Sequence, residues 1–338
     1  MNVAIIGCGL IGRKRGLSLQ SLAGDKLVVV CDIDKDRAKN LSTEFQCESS
    51  SNWEEVVKRK DIDIVINSSI NQVLEPITVA ALNNGKHVLC EKPLGRNVQE
   101  AQKMVNAAKD NKRILKTGFN HIFHPALWQA KQKLDQGEIG KLLSIRARYG
   151  HGSRPGMEKE WRSSKALCGG GELLDQGVHI IDLIRWYAGD VEEVYGIAET
   201  KFWNIEVEDN AFAILSCKNN VRAMFHVSWT NWRNVFSFEI FGSEGYLNIN
   251  GLGGSYGPET LEFGKRKPEG GRPDIEVFQY ETADTSWELE WKEFRNAINE
   301  RREPLKNGVD GLRANQVIEA IYESTRTNVP VKLQNYEN

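Results

Sequence analysis

The sequence predicts an α/β protein: an N-terminal Rossmann doubly wound parallel sheet, then a C-terminal α/β domain with a large, mostly antiparallel open sheet. Three observations predict it. From residue 3 to residue 117, short apolar runs alternate with helical patterns, and such alternation builds βαβ units and a parallel sheet. The first run, Val3–Ile6, leads straight into Gly7-Cys8-Gly9-Leu10-Ile11-Gly12. Beyond Gly118 the texture changes to strand after strand joined by short Gly, Asn or Asp turns, as antiparallel sheets require.

A buried strand running into G-x-G-x-x-G and then a helix, here Arg13 to about Ala23, is the dinucleotide-binding fingerprint. Gly7 allows the tight turn, Gly9 lets backbone approach a pyrophosphate, and Gly12 lets helix and strand pack closely. The N–H groups and positive end of the helix attract the phosphates. A second strand, Leu27–Cys31, ends in Asp32, twenty residues beyond Gly12. An acid there binds the ribose hydroxyls and repels a 2′-phosphate, so the expected cofactor is NAD.

The remaining elements follow in order. Helices are expected at 34–45 and 52–59, a strand at 63–67, a helix at 73–84 closed by Gly85, a strand at 87–90, a helix at 98–110 and a strand at 114–117. Right-handed crossovers give the order 3-2-1-4-5-6, with the cofactor across the carboxyl ends of the strands. A helix at 125–136 is stopped by Gly137, and Leu142–Tyr149 alternates as a strand. Further strands are expected at 191–203, 209–217, 221–230, 235–241, 245–250, 259–264 and 275–280, forming an antiparallel sheet with one mixed edge. Helices close the chain at 287–300 and 311–327, and the Gly- and Pro-rich stretch 251–274 is the expected mobile segment. The domains would be 1–120, binding NAD, and 121–338, binding substrate and mediating oligomers.

Lys and Arg number 44 and Asp and Glu 46, a formal charge of −2 without a basic tract. Nucleic acid and anionic membrane are therefore poor partners. No apolar run approaches the roughly 18 residues of a membrane helix. The first strand begins at residue 2 or 3, which leaves no room for a signal peptide. The six cysteines (8, 31, 47, 90, 168, 217) form no C-x-x-C pair. A cytoplasmic location with reduced thiols is expected.

Two stretches could carry chemistry. Glu91-Lys92-Pro93 follows the fifth strand, at the edge where such sheets present ligands. Pro93 biases Lys92 to an extended conformation, which aims its amine. Taken alone, this is an ordinary surface Lys beside a Glu. In Gly169–Leu183 a glycine loop opens a helix with apolar residues 173, 174, 177, 178, 181 and 184 on its buried side. Asp175 and His179, four apart, share another face with Asp182. A carboxylate one turn from an imidazole can hold one tautomer and raise its basicity, as a general acid/base requires. Taken alone, this is equally a helix whose His bonds its neighbour. His121, His124 and His151 lack thiolates at zinc spacing, and no metal site is expected.

Together GCGLIG, Asp32, GKHVLCEKP (85–93), GFNHIFHPA (118–126) and GGGELLDQGVHIIDL (169–183) resemble the glucose–fructose oxidoreductase/inositol dehydrogenase/rhizopine-catabolism (Gfo/Idh/MocA) family. The likeness runs from residue 1 to about 200. It implies a pocket lined by Lys92, Asp175 and His179 facing the nicotinamide. It also implies cofactor contacts from Gly7, Gly9, Leu10, Ile11, Gly12, Asp32, Ser68, Ser69, Asn71, Glu91, Lys92 and Asn120. The sequence departs from the family pattern at Ile70, Leu74 and Ile122, where Pro, His and Arg are frequent. The expected function is NAD(H)-dependent hydride transfer at a ring carbon of a sugar or nucleotide sugar, with Lys92 or His179 handling the proton and Asp175 orienting His179. Arg154, Trp161, Arg162 and His179 are the candidate substrate contacts, with Trp229 and Trp232 as further framing residues or core. A free-polyol dehydrogenase such as an inositol dehydrogenase is the alternative, and a non-catalytic NAD-binding redox sensor is the rival from another class. A homodimer or homotetramer is implied.

Overall fold

The computed structural model describes residues 1–20, 22–281 and 283–333; the expected second domain ran to 338, and its residues 334–338 lie outside the described residues. The first elements are β1 (Asn2–Ile6), α1 (Leu10–Gln20), β2 (Lys26–Cys31), α2 (Lys35–Phe45), β3 (Glu48–Ser50), α3 (Trp53–Lys58), β4 (Ile64–Asn67), α4 (Asn71–Asn83), β5 (His87–Cys90), α5 (Val98–Asp110) and β6 (Leu115–Thr117). Then come α6 (Pro125–Asp135), β7 (Leu142–Gly150), the single turn α7 (Lys165–Cys168), α8 (Val178–Ala188), β8 (Val191–Glu199), β9 (Asn210–Cys217), β10 (Val221–Ser228), β11 (Val235–Gly242), β12 (Gly245–Asn250), β13 (Glu259–Lys265) and β14 (Asp274–Tyr280). The described chain closes with α9 (Ser286–Glu300), α10 (Gly308–Thr327) and β15 (Val331–Lys332).

Two compact units result. The first comprises Met1–Asn120, Ala166–Gly169 and Trp287–Asn315; the second comprises His121–Lys165, Gly170–Ser286 and the chain from Gln316 onward. A single division at residue 120 would give 287–315 to the second domain, but α9 packs in the first unit. Its residues Trp291, Phe294 and Ile298, spaced i, i+3 and i+7, form an apolar stripe that joins Val3, Ile5, Ile64 and Ile66 in one core cluster. Full burial of Phe294 alone is worth about 1.5–3 kcal/mol.

The first sheet has the order β3-β2-β1-β4-β5-β6, with every neighbouring pair parallel. Core lies on both faces, so β1 and β4 alternate between two clusters: Ala4 and Val65 face one, Val3 and Ile64 the other. Helix starts are capped as sequence chemistry dictates. Asp34 accepts the N–H groups of Asp36 and Arg37 at α2, and Asn97 accepts that of Glu100 at α5.

The second sheet runs β14-β13-β12-β11-β7-β10-β9-β8-β15. Its one parallel pair, β7–β10, lies in the interior of the order rather than at an edge. The cause is topological. The β8–β9–β10 meander adds to one side of β7 and the β11–β14 meander to the other, so the crossover pair is enclosed. Within 251–274 the expected strand at 259–264 is β13, and Gly254 and Gly257 form an isolated bridge. None of the six cysteines is in a disulfide. No helix among the described residues is long and apolar enough to cross a membrane.

Candidate functional site

In the first unit, the carboxyl ends of β1, β2, β4 and β5 lie along one edge because the sheet is parallel. At that edge Gly7 has φ 100°, in the left-handed region that glycine tolerates. A Cβ on Gly12 would stand 2.0 Å from the Gly7 carbonyl oxygen, whereas one on Gly9 would meet nothing within 4 Å. The turn and the close packing thus need glycine, and the Gly9 face is open to an approaching phosphate. The first N–H groups of α1 have no partner within the helix and are aimed at that edge. Leu10 is exposed and Ile11 is partly so.

Asp32 ties this loop to the next strand: Cys8 N–H donates to its Oδ2 at 2.7 Å, and Asp34 N–H to its Oδ1 at 2.9 Å. Ile33 beside it is almost wholly exposed, and Arg37 is paired with Asp34 at 3.2 Å. These residues fit an adenosine dinucleotide: glycine backbone for the pyrophosphate, a carboxylate for the ribose. The Ser68 hydroxyl donates to Gly7 O at 2.8 Å and the Ser69 hydroxyl to Ile6 O at 3.3 Å. Asn71 is buried and donates to Cys168 O at 2.8 Å, and Asn120 is buried at the end of the first unit.

Lys92, half-buried, follows β5 at this same edge, and its bond to Pro93 is cis. Glu91 is buried and turned to a partner that sequence reasoning missed. Arg15 Nε donates to Glu91 Oε1 at 2.7 Å, and Arg15 Nη1 meets Glu290 Oε2 at 2.5 Å. The guanidinium lies 4.5 Å from the centre of the Trp287 ring, and Lys116 Nζ stands 3.6 Å from Glu290. Burial pushes the Glu91 carboxyl up, against the opposing pull of Arg15. A signal was present: Arg15 shares the buried face of α1 with Gly12 and Leu19, where a charge needs a buried counterion.

The second unit holds a separate cluster. His121, on a 3₁₀ turn (Asn120–Phe123), stacks on His179 with ring centroids 3.7 Å apart and planes 16° apart. His121 Nε2 is 3.2 Å from the Tyr149 hydroxyl at the end of β7. Tyr149 packs on Tyr256, whose hydroxyl accepts from Gln176 Nε2 at 2.6 Å. Burial pushes the Tyr149 phenol well above its ordinary range and that of Tyr256 to about 12, so both hydroxyls keep their protons.

One regular helix was expected to carry Asp175 and His179. Instead Leu173–Gly177 is a π-helical turn and α8 begins at Val178. Single wide turns of this kind cluster at functional sites. The turn is seated by the buried Glu208 carboxylate, which accepts the N–H groups of Gly171 at 2.9 Å and Leu173 at 3.1 Å and the Tyr322 hydroxyl at 2.8 Å. Gly171 is required there, because a Cβ would stand 1.9 Å from Glu208 O. His179 is buried, and Asp175 lies 3.6 Å from Arg162 Nε. Arg162 in turn covers the Trp161 ring at 4.5 Å. Arg154 is exposed and paired instead with Glu160 at 2.6 Å. Trp229 is buried in the core at 1 % exposed, whereas Trp232 is 62 % exposed. His124 bonds Glu259 at 3.0 Å, and His151 Nδ1 accepts from Ser153 N–H at 2.9 Å. Among the described residues, no group of three or more His, Cys, Asp or Glu side chains could hold a metal.

Residues 1–119 match the model of an oxidoreductase family with an NAD-binding Rossmann fold, and residues 127–248 match the GFO/IDH/MocA C-terminal domain. The chain is 27% identical to levoglucosan dehydrogenase of Pseudarthrobacter phenanthrenivorans over 290 residues, 74% of this chain and 73% of that protein. It is 28% identical to 1,5-anhydro-D-fructose reductase of Ensifer adhaerens over 312 residues, 91% of each. Inositol 2-dehydrogenase of Salmonella typhimurium is 30% identical over 190 residues, 55% of this chain and 54% of that one. A solved levoglucosan dehydrogenase in complex with NADH and levoglucosan shares the fold, with a TM-score of 0.90 at 24% identity over 98% of this chain and 99% of that one. With both of its unit types matched, the first as an NAD-binding Rossmann domain, the chain belongs to the Gfo/Idh/MocA oxidoreductase family.

Proposed function

We propose that this protein oxidises a ring CH–OH of a neutral sugar or cyclic polyol, or reduces the corresponding ketone, using NAD(H). The observation that carries the reading is Lys92 at the same sheet edge as the Gly7–Gly12 loop and Asp32. When bound, the nicotinamide supplies the hydride acceptor or donor. The chain's residues then have the proton to manage. In the oxidative direction the C–H bond breaks with its electron pair leaving as hydride, a C=O bond forms, and the hydroxyl proton passes to a base. His179 is that base, oriented by its stack on His121 and by Asp175, and Lys92 stabilises charge on the reacting oxygen or relays the proton. Trp161 and Arg162 contact the sugar. The dehydrogenases and reductases among the relatives, which act on levoglucosan, anhydrofructose and inositol by name, support this substrate class.

We further propose a homodimer or homotetramer. The face of the second sheet bearing Ile197, Phe212, Ile214 and Met224 exposes large apolar side chains around a groove of about 570 Å³. Patches of this kind mark interaction sites. Ile214→Glu should then lower the mass seen by light scattering.

A panel of levoglucosan, D-glucose and myo-inositol followed by NADH absorbance tests the reaction. Lys92→Ala and His179→Ala should each lower kcat by about 10²–10⁴-fold while NADH binding persists. Near wild-type kcat in either variant would make that residue structural.

A further inference from the structure

The second unit carries three aromatic side chains that the reaction above does not use. Phe202 and Trp232 are 61 % and 62 % exposed, and Trp203, beside them in space, is partly buried. The Phe202 ring centre is 4.8 Å from that of Trp232 and 5.2 Å from that of Trp203, both edge to face. This is a built arrangement. The fully buried carboxylate of Asp209 accepts the N–H groups of Lys201, Phe202 and Trp203, each at 2.8 Å, and Trp203 Nε1 donates to Trp229 O at 3.1 Å. Trp232 has φ 54°. A bulky residue in the left-handed region is strained, and with its side chain mostly in solvent, core packing does not repay the strain.

The cluster adjoins the site. Asn231 N–H donates to His151 O at 3.2 Å, and the Trp232 backbone stands 3.0–3.5 Å from where a Gly152 Cβ would lie. His151 and Gly152 directly follow the strand end that presents Tyr149 to His121. Arg154, Arg162 and Lys201 each face a carboxylate (Glu160, Asp175 and Glu199), and Arg233, next to Trp232, is exposed; with most of the local positive charge neutralised, the site favours a neutral ligand over a diphosphate. Aromatic faces offered to solvent beside polar edges suit the C–H face of a pyranose.

We propose that Phe202, Trp203 and Trp232 form a second sugar subsite, which stacks a neutral pyranose ring linked to the ring that is oxidised. The substrate class is then a disaccharide or glycoside, and this deepens the sugar-oxidoreductase reading on which it rests. The test measures kcat/KM for D-glucose, cellobiose, maltose and UDP-glucose in wild type, Trp232→Ala, Phe202→Ala and Trp232→Gly. Wild type should prefer one of the disaccharides over glucose. The Ala variants should lose about tenfold in kcat/KM for it, mostly through KM, with glucose within about twofold, as loss of one aromatic stack implies. Trp232→Gly should lose the same preference while unfolding at no lower temperature, since glycine relieves the left-handed strain. Glucose turnover with no disaccharide preference, or equal losses on both sugars, overturns the subsite and leaves the sugar reading standing. A preference for UDP-glucose overturns the neutral-ring assignment. A change of oligomeric mass in the variants without a change in selectivity assigns the cluster to a contact between copies, and also overturns it. If none of these sugars nor levoglucosan or myo-inositol reduces NAD, the underlying reading fails instead.

Discussion

His121 and His179 lie ring on ring, 3.7 Å apart at their centres, in a buried part of the second unit. The stack fixes the plane of the imidazole proposed as the base, and the 3.2 Å contact of His121 Nε2 with the Tyr149 hydroxyl fixes His121 in turn. His121→Phe keeps a flat ring and should retain most activity. His121→Ala frees the His179 ring and should lower kcat about tenfold or more, with a smaller change in KM, because a misoriented base loses rate rather than binding. Equal kcat in the two variants would show that the stack does not position His179.

Asp32 should decide between cofactors. Both carboxylate oxygens are held by backbone N–H groups, of Cys8 and Asp34, so the charge cannot swing away from a ribose 2′-substituent. Asp32→Ala should weaken the preference for NAD over NADP by at least about tenfold in kcat/KM. Adding Ile33→Arg, at an almost fully exposed position, should shift it further towards NADP. Unchanged cofactor ratios would remove Asp32 from the ribose site.

Arg15 is the counterion for two buried carboxylates. Arg15→Met strands Glu91 and Glu290 and should cost about 3–5 kcal/mol of stability in denaturant unfolding. Restoring charge balance by Arg15→Met with Glu290→Gln should recover part of that loss. A single variant as stable as wild type would mean that the carboxylates relax to solvent or to Lys116.

Acid should weaken the first unit through His87. Its Nδ1 accepts the Ile114 N–H at 3.0 Å, and burial, chiefly, lowers its pKa to about 4. The unfolded chain takes up a proton near pH 6.5 that the folded chain refuses, so stability is full above that pH and falls as pH drops towards 4. Between pH 7 and pH 5 the loss from this group is on the order of 1–2 kcal/mol, and His87→Asn should flatten that part of the stability profile. A profile unaltered by the substitution would assign the acid sensitivity elsewhere.

Period and turn chemistry in the sequence determined the alternating first sheet, the glycine loop, the strand-ending Asp32 and nearly every strand of the second sheet. Such features are local: two-residue alternation, i/i+3/i+4 stripes and glycine at positive φ are decided by a residue and its near neighbours. Family motifs marked Lys92, Asp175 and His179 as candidates, while their surroundings were beyond reading. Only the tertiary structure decided that Trp291 and Phe294 of α9 complete the core of the first unit, that β7 and β10 pair inside the sheet, and that Glu91 turns to Arg15. The same holds for the π turn at Leu173–Gly177, set by the distant Glu208, and for the stack of His121 on His179. Each depends on partners tens to hundreds of residues away, as Arg15 does on Glu290 and Trp291 on Val3. Sequence spacing carries no record of which buried charge or ring will meet which, because that is settled when the apolar faces close and every enclosed polar group must find a partner.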